Sequence, residues 1–266
     1  VTKAATTLER RILYLLAVTS IGVYGIAIAG WSSNNKYSML GGVRASAQVI
    51  SYELALGLAV LAVVMQAESF STAEIVNKQW GWWFIVPQFL AFVIFLLAST
   101  AEVVRAPFDL VEAEQELVGG YNTEFGSMKF ALFFMSEYIK LVAMNAIAVT
   151  LFLGGWRFPG LYTLAAFVSA NFGQFAGSAV FGLLSLGAFL LKVTLLSFLS
   201  VWVRASVPRV RYDQLMNLGW KVLLPMALFN VAMTAVVNVF VTDRYVGGII
   251  GFVIGLVVVV AVATLT

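Results

Sequence analysis

The chain has 266 residues, 61% of them hydrophobic, 14% aromatic and 11% charged, with a formal net charge of +3 and a mean hydropathy of +0.95. A water-soluble domain carries about a quarter charged residues, so the composition excludes a soluble globular protein and points to one that lives in a bilayer. The sequence contains neither cysteine nor histidine, which removes disulfides, thiolate clusters, axial haem histidines and histidine acid–base chemistry and leaves carboxylates, Lys, Arg, Tyr and water.

Apolar stretches of spanning length run over residues 12–30, 45–66, 82–104, 129–155, 178–203, 218–241 and 247–266. Open backbone is intolerable in lipid, and none of these stretches shows the roughly ten-residue alternation of a barrel strand, so each is read as an α-helix. The fold class expected is all-α: a polytopic transmembrane helical bundle of about seven spans forming a single membrane domain over residues 1–266. Trp31, Trp80, Trp82, Trp83, Trp156, Trp202 and Trp220 punctuate the span ends, where an interfacial belt would put them. Lys36, Arg44, Arg105, Lys129, Arg204, Arg209, Arg211 and Lys221 fall on one side and only Lys78, Arg157 and Arg244 on the other. The positive-inside rule makes the first side cytoplasmic. Lys3, Arg10 and Arg11 then sit on the wrong side, so either the tail breaks the rule or a span is missing between residues 11 and 12.

Residues 105–129 are unlike the rest. They hold Asp109, Glu112, Glu114, Glu116 and Glu124, five of the thirteen acids, against Arg105 and Lys129. Asp109 with Glu112 reads as a capping box and Gly119-Gly120 as a stop, so a short amphipathic helix is expected between the third and fourth spans. On it Asp109, Glu112 and Glu116 share a face, where like charges repel unless a cationic partner or a proton intervenes. The alternative is a solvated, capped loop helix.

Ionisable groups at bilayer depth are costly and normally face the bundle interior with a partner. At 1.5 Å per residue, Glu53 lies roughly 13 Å from the cytoplasmic end of its span, Glu137 roughly 12 Å, Lys140 roughly 16 Å and Lys192 roughly 18 Å, with Glu102 nearer the surface. These residues form a candidate proton path descending from the acidic loop. Glu137 with Lys140, and Glu102 with Arg105, are each three apart and could equally neutralise one another within a helix. Glu53 and Lys192 have no partner on their own helices and must find one across the bundle. Ser51, Tyr52, Ser136 and Tyr138 are adjacent hydroxyls that could hold water, although neighbours in a helix point apart. No phosphate loop, metal-ligand spacing, nucleophile pattern or nucleic-acid-binding basic stripe is present, and glycines within spans such as Gly182 and Gly187 read as close-packing sites.

The run AEVVRAPFDLVEAEQELVGGYNTEFGSMKFALFFMSEY, with GVYGIAIAGWSSNNKYSMLGGVRASAQVISYE before it and LFLGGW and RVRYDQLMNLGW after it, resembles the quinone-channel membrane subunit of respiratory complex I, called the H subunit in bacteria and subunit 1 in mitochondria. The resemblance covers residues 12–241. It implies a membrane component of a proton-translocating NADH:quinone oxidoreductase of the bacterial inner membrane, with quinone as substrate and no metal or covalent cofactor in this chain. FMN and iron–sulfur clusters would belong to partner subunits, and the partners would be the other membrane subunits, the quinone-site subunits of the peripheral arm and the lipid bilayer, with no nucleic acid. Carried over by position, Arg105, Asp109, Glu112, Glu114, Glu116 and Glu124 would face the quinone chamber. Glu53, Glu102 and Glu137 match acids proposed to line the path toward the pumping subunits; Lys140 and Lys192 are not carried over in this way. Some family members have an acid where this chain has Ser20.

The ends depart from the family pattern. TLERR resembles the end of the family's first span, yet the sequence resumes at ILYLLAV as the third, so the quinone-binding loop and one span are expected to be missing between residues 11 and 12. The apolar segment after Arg244 looks like an additional last span. Other readings are a related component of a membrane-bound hydrogenase or formate-hydrogen lyase, a stand-alone proton or cation transporter, and a structural anchor.

Overall fold

A computed structural model describes residues 11–105, 107–109, 120–172, 174–241 and 244–265, and the regular structure among them is helical. Six helical stretches are long and apolar enough to cross a membrane among the described residues: Ile12–Ser32, Lys36–Ala67, Ser127–Phe152, Gly177–Ser206, Tyr212–Phe240 and Tyr245–Thr264. A polytopic helical bundle is therefore what the chain forms. Helix α1 (Arg11–Ser32) runs toward the end that carries the acidic loop, here the near end, and α2 (Lys36–Ala67) returns to the far end. The oxygen of the Asn35 side chain accepts from Tyr37 N at 3.0 Å and caps α2. Glu68 at φ 51° ends it in the left-handed conformation. Thirty-two residues rise roughly 48 Å, well beyond the hydrocarbon thickness, so α2 extends past the second stretch expected from hydropathy and forms the central post against which other helices lean.

The third expected span is the one that differs. Only Phe89–Glu102 is continuous helix, labelled α4 after the short α3 (Thr72–Lys78). Fourteen residues rise roughly 21 Å. Gly81 at φ 94° and Pro87 keep the preceding segment out of helix. Its polar groups are met by protein: Ile85 N donates to Phe152 O at 3.0 Å, and Gln79 Nε2 donates to Thr150 O and Leu151 O at 3.1 and 3.0 Å. Irregular backbone at membrane depth survives under that condition.

A 3₁₀ turn at Gly120–Asn122 follows the acidic loop and leads into α5 (Ser127–Phe152). The expected capping box and helix of the loop, with Glu112, Glu114 and Glu116, lie outside the described residues. Helices α6 (Leu161–Phe172) and α7 (Gln174–Ser206) come next; α6 is not among the expected spans, because twelve apolar residues fall below spanning length. Then α8 (Tyr212–Asn217), a π turn (Leu218–Leu223) and α9 (Leu224–Phe240) form one continuous rod. The π turn sits just before Pro225, whose ring and missing N–H do not fit the preceding α-helical turn. Helix α10 (Arg244–Leu265), long and apolar enough to span, comes last.

Lipid offers no hydrophobic gain for helix association, so close packing of small residues does the work. A side chain at Gly30 would meet Ser38 O at 2.8 Å and Gly42 Cα at 3.0 Å, which is how tightly α1 and α2 cross. A side chain at Gly41 would meet the backbone of Gly120 and Tyr121 at 2.8 Å. Gly41 thus lets the 3₁₀ turn lie on α2 and sets Tyr121 into the bundle. Ala55, Ala59, Val63, Ala91, Ile94, Phe95, Ala98, Val149 and Phe152 fill the middle of the core and are essentially inaccessible. Trp31, Trp80, Trp202 and Trp220 are exposed at the span ends, as an interfacial belt requires.

Candidate functional site: crossed ion pairs behind the acidic loop

Helix α4 arrives at the near end with Glu102, and Val104 at φ 58° then turns the backbone sharply, so that Arg105 leaves the face of α4 that carries Glu102. Helix α5 descends beside it with Glu137 and Lys140 one turn apart. The four charges pair crosswise between segments rather than within helices. Arg105 Nη2 lies 2.8 Å from Glu137 Oε2, with side chains only 9% and 11% exposed. Lys140 Nζ lies 3.2 Å from Glu102 Oε1, whose side chain is 1% exposed, and also donates to Glu102 O at 3.1 Å. The within-helix pairing that sequence spacing allowed, Glu102 with Arg105 and Glu137 with Lys140, is therefore not what forms. A charge buried on one helix is best neutralised by a group that shares its interior position, and here that group comes from the neighbouring segment.

Aromatic groups close the first pair. Arg105 stands over the Tyr138 ring at 4.4 Å and the Phe134 ring at 5.3 Å, and the Tyr121 hydroxyl donates to Glu137 Oε1 at 3.4 Å. Tyr138 thus serves as a ring for the guanidinium. The Tyr52 hydroxyl donates to Leu215 O at 2.8 Å, and Ser136 donates to Phe133 O at 2.7 Å. Ser51 accepts from Trp220 Nε1 at 3.0 Å while donating to Ala47 O at 2.7 Å. None of these four neighbours hydrogen-bonds a carboxylate in these contacts.

Glu53 stands deeper on α2, within electrostatic reach of Glu102. Its cross-bundle partner is Ser20 of α1, which donates to Glu53 Oε1. An apolar groove of about 550 Å³, lined by Leu16, Ser20, Glu53, Leu54, Leu61 and Phe70 among others, runs beside this contact. Glu53, Glu102 and Glu137 with Lys140 and Arg105 form one cluster of three carboxylates and two cations. Glu102 Oε2 is buried and has no hydrogen-bond partner among the described residues.

The first residues of the acidic loop are tied to the bundle beside this cluster. Gln48 Nε2, fully buried on α2, donates to Ala101 O at 2.8 Å and Phe108 O at 3.0 Å, and Val210 N donates to Pro107 O at 3.2 Å. Asp109 is buried and pairs with Arg209 at 3.5 Å. Glu124, in contrast, is exposed and accepts from Asn35 Nδ2 at 2.7 Å. Gln48, Tyr121 and Arg209 are members of the site that sequence reasoning passed over. An amide inside a span has much the same need for partners as a charge, and Gln48 carried that signal.

Lys192 is elsewhere. It reaches from α7 to the far end of α5, where Nζ donates to Leu153 O, Gly155 O and Arg157 O at 2.7, 3.1 and 2.6 Å and stands over the Trp83 ring at 4.7 Å. Gly154 and Gly155, at φ 72° and 55°, bend the chain so that these carbonyls converge, and Gly154 lies directly against Trp83. A lysine at this position satisfies the carbonyls of the C-cap and of the bend that follows it, and its charge stands near the negative dipole end of α5.

Residues 1–235 match the family model described as NADH dehydrogenase. The chain is 51% identical over 227 residues to one of the NADH-quinone oxidoreductase H subunits of Geobacter sulfurreducens, the one numbered 1, covering 85% of this chain and 59% of that protein. It is 47% identical over 224 residues to the NADH-quinone oxidoreductase H subunit of Protochlamydia amoebophila, covering 84% and 62%. A third relative, the NADH-quinone oxidoreductase H subunit of Streptomyces avermitilis, is 45% identical over 241 residues, covering 90% and 51%. The chain thus spans between about half and three fifths of the length of these relatives. With its helical bundle, its buried crossed ion pairs and a family match running through both, the chain belongs to the NADH dehydrogenase family.

Proposed function

We propose that this chain is the H-subunit part of a proton-translocating NADH:quinone oxidoreductase in a bacterial plasma membrane, and that its crossed ion pairs couple quinone reduction to proton movement. The observation that carries the reading is the cluster of Glu102, Arg105, Glu137 and Lys140 packed directly behind the start of an acidic loop, in a chain about half identical to H subunits of that enzyme. The acid-rich segment of the sequence from Asp109 to Glu124 is, in this reading, the part of the chain that responds to the quinone. FMN and iron–sulfur clusters reside in partner subunits of the peripheral arm, and the remaining membrane subunits lie alongside.

Reduction of a quinone consumes two electrons and two protons per quinol. Until the protons arrive, the negative charge on the reduced ring acts on the loop and on the charges behind it. A guanidinium does not give up its proton, whereas a lysine ammonium can. Arg105 is therefore the fixed counter-charge of Glu137, and Lys140 with Glu102 is the labile pair. Glu53, held by a hydroxyl that can donate or accept, is the next station inward. Exchange of a proton at Glu102 changes the field at Glu53, so the loop's charge state passes into the membrane as a proton or as field. Lys192, bound to three carbonyls at the far end, is left out of this path.

Native gel electrophoresis of gently solubilised membranes tests the assignment. The chain, followed by antibody, is expected in a large band that also stains for NADH dehydrogenase activity. Migration as a small species would point to a stand-alone transporter and sink the assignment. A large band active only with hydrogen or formate would move the chain to a hydrogenase or formate-hydrogen lyase.

A further inference from the structure

The far half of the bundle holds a second polar region that the ion-pair cluster does not use. A cavity of about 300 Å³ opens at the far end between α2, α9 and α10 and is lined by Gln66, Gln88, Thr234 and Asn238, with the Glu68–Lys78 ion pair at its mouth. Its inner end is a chain of hydrogen bonds. Gln88 Nε2 donates to Thr234 Oγ1 at 3.0 Å, Asn230 Nδ2 donates to Gln88 Oε1 at 3.2 Å, and Thr234 Oγ1 donates to Asn230 O at 2.7 Å. Gln88, Asn230 and Thr234 are 3%, 1% and 3% exposed. Two acceptors remain without a partner among the described residues: Gln66 Oε1, in the lining, and Asn230 Oδ1, one hydrogen bond beyond it.

Buried amide oxygens without donors are costly, and a polar cavity of this size supplies the donors as water. At about 30 Å³ per molecule it holds on the order of ten. Beyond Asn230 the polarity stops. Gln88 and Glu102 lie at opposite ends of α4, roughly 21 Å apart along its axis. The layer between them contains Ala91, Ile94, Phe95 and Ala98, all fully buried, with the Phe152 ring packed on Phe92 and Phe95 at centroid distances of 5.3 and 5.6 Å.

We infer that this cavity is a water-filled vestibule open to the far side of the membrane, that it is the release half of a proton path through this chain, and that the aromatic layer is the seal between it and the charged cluster. The inference rests on the proton-coupling role proposed above. Amides and a hydroxyl cannot hold a net charge, so the proton travels as an excess proton on the water they order and leaves past Glu68 and Lys78. A path with polar groups at both ends and a dry layer between conducts only when the layer is wetted, which keeps the membrane from leaking at rest.

The 266 residues contain no cysteine, so a label found on this chain, once it is separated from its partner subunits after the reaction, reports the introduced thiol. Asn238→Cys, Thr234→Cys and Ile94→Cys are placed singly in the full chain, assembled in the complex in sealed vesicles, and exposed on either side to a charged, membrane-impermeant thiol reagent. Asn238→Cys and Thr234→Cys are expected to react about tenfold or more faster from the far side, because a thiolate reacts where water reaches it, and Ile94→Cys from neither side. Modified Thr234→Cys complex is expected to move fewer protons per NADH oxidised than the same variant before modification. Lack of far-side reaction at Thr234→Cys, with Asn238→Cys reactive, overturns the vestibule. Reaction at Thr234→Cys with an unchanged proton yield overturns the release role. A parental complex that moves no protons per NADH oxidised refutes the coupling role itself, and the release role with it, while the labelling pattern still decides the vestibule.

Discussion

Arg105→Met is expected to destabilise the folded protein by about 3 to 5 kcal/mol, the usual cost of removing one partner from a buried ion pair. The Glu137 carboxylate would keep the Tyr121 hydroxyl and lose its guanidinium, while Phe134 and Tyr138 would lose the cation between them. The double variant Arg105→Met, Glu137→Met removes both charges and is expected to recover most of that loss, since apolar replacement of a whole buried pair is often neutral in stability. Coupling should not recover with it. Thermal inactivation midpoints of the purified complex, read as a double-mutant cycle, check the first statement, and proton yield per NADH checks the second. A double variant as unstable as the single one would show that Arg105 acts through the aromatic rings or the loop backbone, with its pairing to Glu137 incidental.

Lys192→Met is expected to cost about 3 kcal/mol in stability and to leave coupling intact. Three carbonyls converge on one ammonium, and charge-assisted hydrogen bonds contribute more than neutral ones. The methionine side chain fills similar space against Trp83 and donates nothing, so the bend at Gly154 and Gly155 loses what holds its carbonyls inward. Faster proteolysis between residues 153 and 160, with an unchanged ratio of protons to NADH in the surviving complex, is the pattern that distinguishes a cap from a proton carrier. Equal proteolysis and a lowered ratio would restore Lys192 to the path suggested by its depth alone.

Lys192 also shows where sequence reading ran out. Hydropathy and length identify a bundle because the cost of polar backbone in lipid leaves few alternatives, and that part of the fold was open from the sequence. Depth along a span is computable too, and it placed Glu53, Glu102, Glu137 and Lys140, four of the five charges of the cluster, in one half of the membrane. Partner choice is a property of neighbouring segments. Spacing of three residues made Glu102–Arg105 and Glu137–Lys140 look like natural pairs, and only the left-handed turn at Val104 takes Arg105 off the α4 face and exchanges the partners. Lys192, similar in depth by count, points at the opposite end because the bend at Gly154 and Gly155 brings carbonyls to it. The third span illustrates the same limit: Pro87 and Gly81 were visible in the sequence, but the amides of Gln79 and Gln88 that tie the irregular segment to its neighbours act on residues 71 to 146 positions away.

Glu53→Gln gives the most direct test of coupling through the carboxylates. The amide keeps an acceptor for Ser20, nearly the same shape and the same half-buried position, and it loses the ability to carry a proton or a charge. In sealed vesicles, proton translocation per NADH oxidised with quinone as acceptor is expected to fall in this variant, while NADH oxidation by an artificial acceptor stays at the parental rate. A normal ratio of protons to NADH in Glu53→Gln would contradict the account and leave Glu53 as a buried residue of the fold.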